Sequence, residues 1–241
     1  TTPASSRSLE ADRVAAAAMT LVTNVGLRGL TLRDLAQAVG KSTTVIVNLF
    51  GAKAGLIEAI AFRAFEQDKA YHESFFAGVD ALALSRDSLL ALTARYLRER
   101  AAPSADFARV WEELLVSPDP AAFLPPLLRR WDLMRRNAWT AFLSRRPGLE
   151  SFGEAISTYL IIEQFYVGAL GGRSDYEVIA AEGLGGLIDR AFSRPDDPAS
   201  ATESYVDRMV IPKAPGDGLE PDSIKRRLLD VAADQILSKG V

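Results

Sequence analysis

At 241 residues, 48% hydrophobic and 24% charged, the chain has the balance of a globular protein with one or two real cores. It contains no Cys and one His, which excludes disulfides and thiolate metal sites, removes most zinc sites and leaves a Ser-His-Asp triad only through His72. The net charge of −3 divides unevenly: residues 1–53 hold six bases (Arg7, Arg13, Arg28, Arg33, Lys41, Lys53) against three acids (Glu10, Asp12, Asp34), so they carry +3 and the remainder −6. Salt screens charges beyond roughly 8 Å, so a basic head on an acidic body can still attract phosphate.

The first residues, TTPASSRSLEADR, lack the basic-then-apolar pattern of a secretory leader, and no apolar run approaches the roughly 18 residues of a membrane span. A cytoplasmic protein with no membrane partner and no cofactor is expected. The first helix is predicted over residues 8–25, with Ser8 as N-cap, Val14, Ala17, Ala18, Leu21, Val22 and Val25 as its apolar stripe, and Gly26 at its end.

The stretch Thr31 to Phe50 reads as two short helices joined by a tight turn. Thr31 can N-cap the first, with Asp34 standing where a capping box usually has Glu. Leu32, Leu35, Ala36 and Val39 share one face, Gly40 ends the helix, and Ser42 or Thr43 can cap the next. Ile46, Leu49 and Phe50 give the second helix its buried side, leaving Lys41, Thr43, Thr44, Val47 and Asn48 outward. This is a helix-turn-helix pattern, whose second helix can lie in a DNA major groove. Gly51 then breaks the chain, and Lys53 opens a longer fourth helix with Leu56, Ile57, Ile60, Ala61, Ala64 and Phe65 at helical spacing.

Further helices are predicted at 86–101, 105–116, 121–145, 151–171 and 175–193, punctuated by Pro103-Ser104, Pro118-Asp119-Pro120, Pro147-Gly148 and Gly171-Gly172. No alternating strand pattern appears, so the expected class is all-α. The arginine pairs 129–130, 135–136 and 145–146 read as the solvated side of a helix whose Trp131 and Trp139 face inward. His72, with no second His or Cys to join it, reads as a surface or interdomain residue. The string Gly183-Leu184-Gly185-Gly186 has no preceding strand and no following Lys-Ser/Thr, so it reads as close helix packing rather than a phosphate loop.

Across four helices, Arg13, Ala17, Ala18, Gly26, Thr31-Leu32, Leu35-Ala36, Val39-Gly40, Ser42, Phe50, Lys53 and Leu56-Ile57 occur in the order and spacing of a known pattern. On these residues the segment from 13 to about 65 resembles the DNA-binding domain of the TetR family of transcriptional regulators. The resemblance implies a three-helix DNA-binding domain with helix-turn-helix over 7–52 and a helical effector-binding and dimerisation domain over 53–193. It implies a regulator, most often a repressor and not an enzyme, that binds near-palindromic double-stranded DNA and answers to a small-molecule effector. Thr43, Thr44 and Asn48 become candidates for base edges, Thr31, Arg33, Lys41 and Lys53 for phosphates, with Ser42 beside them at the helix start. Tyr96, Phe107, Trp111, Trp131, Trp139, Phe165 and Tyr166 become the candidate effector-pocket lining. Tyr159, Ile162, Tyr166, Gly183, Gly186 and Leu187 become a candidate dimer interface, in a homodimer or an intrachain pseudo-dimer.

The sequence departs from the family at Thr44 (usually Gly), Val47 (usually Tyr) and Leu49 (usually His or Tyr). The aromatic pair helps anchor the DNA backbone in the family, and its loss puts affinity in question. The alternative implied is a degenerate head that serves assembly while another head reads DNA.

Residues 194–222 are rich in Pro, Asp and Gly and read as linker. Residues 223–241 resume as an amphipathic helix that aligns with the first one: Arg227 with Arg13, Leu228 with Val14, Ala232 with Ala18, Ile236 with Val22, Gly240 with Gly26. That segment is expected to be the first helix of a truncated second DNA-binding domain, in a tandem protein continuing past Val241.

Overall fold

The computed structural model describes residues 3–117, 122–170 and 175–193, the side chains of 3–6 and 165–170 excepted. The linker and the second first-helix expected over 194–241 lie outside them, as do the side chains of Phe165 and Tyr166. The described chain is all-α: α1 (Pro3–Gly29), α2 (Leu32–Ala38), α3 (Thr43–Phe50), α4 (Lys53–Ala77), α5 (Arg86–Ala101), α6 (Asp106–Leu115), α7 (Leu124–Leu143), α8 (Gly153–Leu170) and α9 (Tyr176–Phe192). Among the described residues, no single helix is long and apolar enough to cross a membrane.

The expected caps form. Thr31 Oγ1 accepts the Asp34 N–H at 3.1 Å and donates to Asp34 Oδ2 at 2.7 Å, so Asp34 holds the cap hydroxyl itself. Ser42 Oγ accepts the Val45 N–H at 3.3 Å. Between them Gly40 takes φ 65°, a left-handed value that a side chain would oppose.

α1 starts earlier than Ser8 and breaks at Gly26, where φ 70° and ψ 170° leave helical geometry. The break frees the Leu27 N–H, and Glu113 Oε2 on α6 accepts it at 3.0 Å. Val14, Ala18 and Val22 are buried as expected, but Val25 is 54% exposed, because the chain turns out of the helix at the very next residue.

Two apolar cores result. In the first, Val14, Ala18 and Val22 meet Leu35, Ile46, Leu56 and Ile60, together with Trp111 and Leu114 of α6 and Trp131 of α7. The head is thus packed directly on α6 as well as joined to α4, with α7 entering the same core through α4. In the second, Phe75, Tyr96, Leu97, Trp139 and Phe142 meet Ile156 and Leu160 of α8 and Ile179, Leu184 and Ile188 of α9. α4 runs through both. Its 25 residues span about 37 Å, which carries the chain from the helix-turn-helix to the far core.

Candidate nucleic-acid interface and buried polar centre

On α3, burial of Ile46 and half-burial of Val45, Leu49 and Phe50 turn Thr43, Thr44, Val47 and Asn48 outward. Thr43, Thr44 and Asn48 therefore lie on one exposed face, starting one residue after the Ser42 cap. Leu49 packs against the first core, and Val47 is 41% exposed. Neither offers a donor to phosphate.

The surrounding charges are partly engaged. Lys41 Nζ lies 2.7 Å from Glu10 Oε1 on α1, with both side chains well exposed. Arg33 is exposed, whereas Lys53, at the first position of α4, is half-buried. Thr31 has its hydroxyl committed to Asp34. Arg7, one of the bases of the head but not among the expected contact residues, also reaches the helix: its Nη2 donates to the Asn48 carbonyl at 2.6 Å. Nothing in the sequence pairs residues 7 and 48; the contact follows from α1 starting early enough to cross α3.

Two expectations for the body are overturned. His72 is 2% exposed rather than on the surface, and Arg135 is fully buried rather than solvated. Both belong to a polar centre around Asp68 of α4, itself fully buried. Asp68 Oδ2 accepts Trp131 Nε1 and Arg135 Nε, each at 2.6 Å, and Arg100 Nη2 at 3.2 Å; Oδ1 accepts Arg100 Nη1. Arg100 Nε donates to Gln164 of α8, whose Nε2 donates to Glu112 Oε1 at 3.2 Å.

Burial by itself would raise the Asp68 carboxyl, but the charges of Arg100 and then Arg135 outweigh it and hold it well below the usual carboxylate range. His72 Nδ1 lies 2.8 Å from the Asp68 carbonyl, which can only accept, so Nδ1 carries a proton. Nε2, 3.0 Å from the Tyr96 hydroxyl, is then the acceptor of a neutral ring. Burial lowers its pKa, outweighing the nearby Asp68 carboxylate. Glu112 goes the other way: burial raises it against the hydrogen bond from Gln164 and the Arg109 charge.

The aromatic candidates distribute around this centre. Trp111 and Trp131 belong to the first core with Phe107 packed on it, Tyr96 and Trp139 to the second. The Arg100 guanidinium lies 5.2 Å from both the Tyr96 and Phe107 rings, and that of Arg135 lies 4.2 Å from Trp111 and 5.5 Å from Trp131. Of two surface grooves, one reaches this centre only at His72 and the other not at all. One of about 410 Å³ runs between α4 and α7 past Lys69, Phe76, Met134 and Arg145; one of about 560 Å³ runs between α1 and α4 past Asp12, Phe50, Phe62 and Arg63.

Of the interface candidates, Tyr159 is half-buried and donates to the Ile179 carbonyl at 3.0 Å, across Gly183, where a Cβ would fall 1.6 Å from the Tyr159 hydroxyl. That glycine is explained inside the chain, by the approach of α8 to α9. Ile162 is 49% exposed, Gly186 is exposed and Leu187 is half-buried in the second core.

No protein-family profile and no curated protein matches the chain. Solved structures do. A protein from Rhodococcus sp. assigned to the TetR family of transcriptional regulators is 20% identical, with a TM-score of 0.55 over 76% of this chain and 98% of its own. PfmR, a TetR-family transcriptional regulator from Thermus thermophilus, is 18% identical, with a TM-score of 0.52 over 76% of this chain and 96% of its own. The chain has the fold of TetR-family transcriptional regulators.

Proposed function

We propose that the protein is a sequence-specific DNA-binding transcriptional regulator of the TetR type, a repressor modulated by a small-molecule effector, rather than an enzyme. The observation that carries this is the α3 surface: Thr43, Thr44 and Asn48 outward on a capped helix, with Arg7, Arg33, Lys41 and Lys53 around it. Hydroxyls and an amide on such a face can read base edges in the major groove, while the bases around them supply the salt-dependent attraction to phosphate. Pairing through α8 and α9, where Ile162 and Gly186 are exposed, would bring two such helices to successive major grooves roughly 34–36 Å apart on a near-palindromic operator.

A second reading is favoured by Val47 and Leu49: a head that keeps the fold for assembly and reads no DNA. One experiment separates the two. Electrophoretic shift of the purified chain on its own upstream region, with and without Thr44→Ala and Lys53→Ala, should show a specific complex whose sequence preference changes with the first and whose affinity falls on all DNA with the second. Absence of any complex at low salt would leave the assembly reading.

A further inference from the structure

α3 ends abruptly, and the way it ends leaves a backbone acceptor open. Gly51 takes φ 75° and ψ −64°, and its N–H still meets the Val47 carbonyl at 2.7 Å. The next N–H, that of Ala52, would reach the Asn48 carbonyl if the helix continued. The turn sends it instead to the Phe50 carbonyl at 2.9 Å. Arg7 of α1 takes its place, with Nη2 donating to the Asn48 carbonyl at 2.6 Å. A cation is thereby fixed at one end of the outward face of α3. Arg7 is exposed, and its one bond among the described residues is to a neutral carbonyl, so its charge and its other guanidinium N–H groups remain available. The carboxylate one turn along α1, Glu10, is taken by Lys41 at 2.7 Å. Of the other bases around α3, Lys41 is thus neutralised, Lys53 is half-buried, and Arg33, though exposed, makes no bond to α3 among the described residues.

We propose that Arg7 is a DNA-backbone contact: steadied on the Asn48 carbonyl, its guanidinium binds a phosphate flanking the major groove that α3 enters. A planar guanidinium matches the oxygens of a phosphodiester, and its charge displaces a counterion from the duplex. This end of α3 has little else to offer phosphate, because Val47 and Leu49 carry no donor. Thr43 and Thr44 stand at the start of the helix and Asn48 near its end, so a phosphate held beside residue 48 fixes the tilt at which the whole face meets the bases. A backbone contact carries no sequence information, so Arg7 sets affinity on every sequence alike and leaves the choice of sequence to α3 itself.

The inference rests on the DNA-binding reading above, and its failure shows separately. Fluorescence anisotropy of the full chain, on its own upstream region and on a random-sequence duplex, would be titrated with salt for wild type, Arg7→Gln and Arg7→Lys. Glutamine keeps an N–H for the Asn48 carbonyl and loses the charge; lysine keeps both. Arg7→Gln should weaken binding to both duplexes by about three- to tenfold and flatten the slope of log affinity against log salt by about 0.9 for each bound head. Arg7→Lys should keep the slope and lose at most about threefold in affinity. Thermal melts of all three should coincide. An unchanged salt slope in Arg7→Gln, on DNA that wild type binds, would overturn the inference and leave the DNA reading standing; a lowered melt beside it would make Arg7 a helix cap only. No wild-type complex on either duplex at low salt would remove both.

Discussion

Glu113 of α6 accepts the backbone N–H of Leu27 at 3.0 Å, closing the break that Gly26 opens in α1. Its neighbour Glu112 is bonded to Gln164 in the buried polar centre, and Arg109 grips both carboxylates, at 3.1 and 3.3 Å. Two adjacent residues thus join the head to the interior of the body through one turn of helix. Glu113→Ala leaves a half-buried donor unanswered and should cost about 1–3 kcal/mol. At about 2–4 °C per kcal/mol for a chain of this size, a thermal melt should fall visibly, and Glu113→Gln, which still accepts, should fall less.

Asp68→Asn removes the charge shared by Arg100 and Arg135 while keeping the side chain's shape. Breaking a buried pair costs about 3–5 kcal/mol, and two cations depend on this one. Because the folded pKa of Asp68 lies below its unfolded value, its contribution is complete above about pH 4 and is lost as pH falls below that. Denaturant melts of wild type and Asp68→Asn should converge on acidification, and a difference independent of pH would refute the charge as the cause.

A separate loss belongs to His72. Its folded pKa is depressed, so between that value and the ordinary value of about 6.5 the unfolded chain binds the extra proton. Stability is therefore full above about pH 6.5 and declines as pH drops below it. His72→Gln, able to hold the Asp68 carbonyl and the Tyr96 hydroxyl without titrating, should flatten the slope between about pH 6.5 and 5 while leaving the Asp68 window intact.

Much of the head was legible because its devices are local. Thr31, Gly40 and Ser42 act within four residues of themselves, and the stripes of α2 and α3 follow from spacing alone. Helix ends in the body fell within a few residues of the predicted ones for the same reason. His72 and Arg135 were misplaced because composition outweighed register. Trp131, Arg135 and Trp139 stand four apart and so share one side of α7, which puts the arginine on the indole face; Arg136, a residue further round, is the partly solvated member of the pair. The contact of Arg7 with Asn48 joins residues 41 apart and had no sequence signal.

Lys41 gives a test of the DNA reading in the opposite direction from a deletion. Glu10 holds it in an exposed pair of the kind worth about 0–1 kcal/mol. Glu10→Gln should release Lys41 to phosphate, tighten binding to unrelated sequences by a few-fold and steepen the salt dependence by about one counterion. Unchanged affinity and slope in a fluorescence-anisotropy titration would place Lys41 away from the DNA.

The proposed association through α8 and α9 has its own probe. Ile162→Glu places a charge on an exposed apolar position and should leave the thermal melt of the protomer within about 0.5 kcal/mol of wild type. Sedimentation should then show protomers, with dimers expected for wild type; protomers in both would remove the interface. Gly183→Ala, which drives a methyl group into the Tyr159 ring, should instead destabilise the fold itself.

The buried carboxylate of Asp68 also constrains the order in which the chain can assemble. Its partners Arg100, Trp131 and Arg135 lie 32, 63 and 67 residues further on. Stripping water from that turn of α4 before they arrive would strand a bare anion, so the central turn must stay wet until two long loops have closed. The short-range contacts of α1, α2 and α3 face no such wait. Early structure is therefore expected at the helix-turn-helix, with the interior of the body setting last, when the arginines dock.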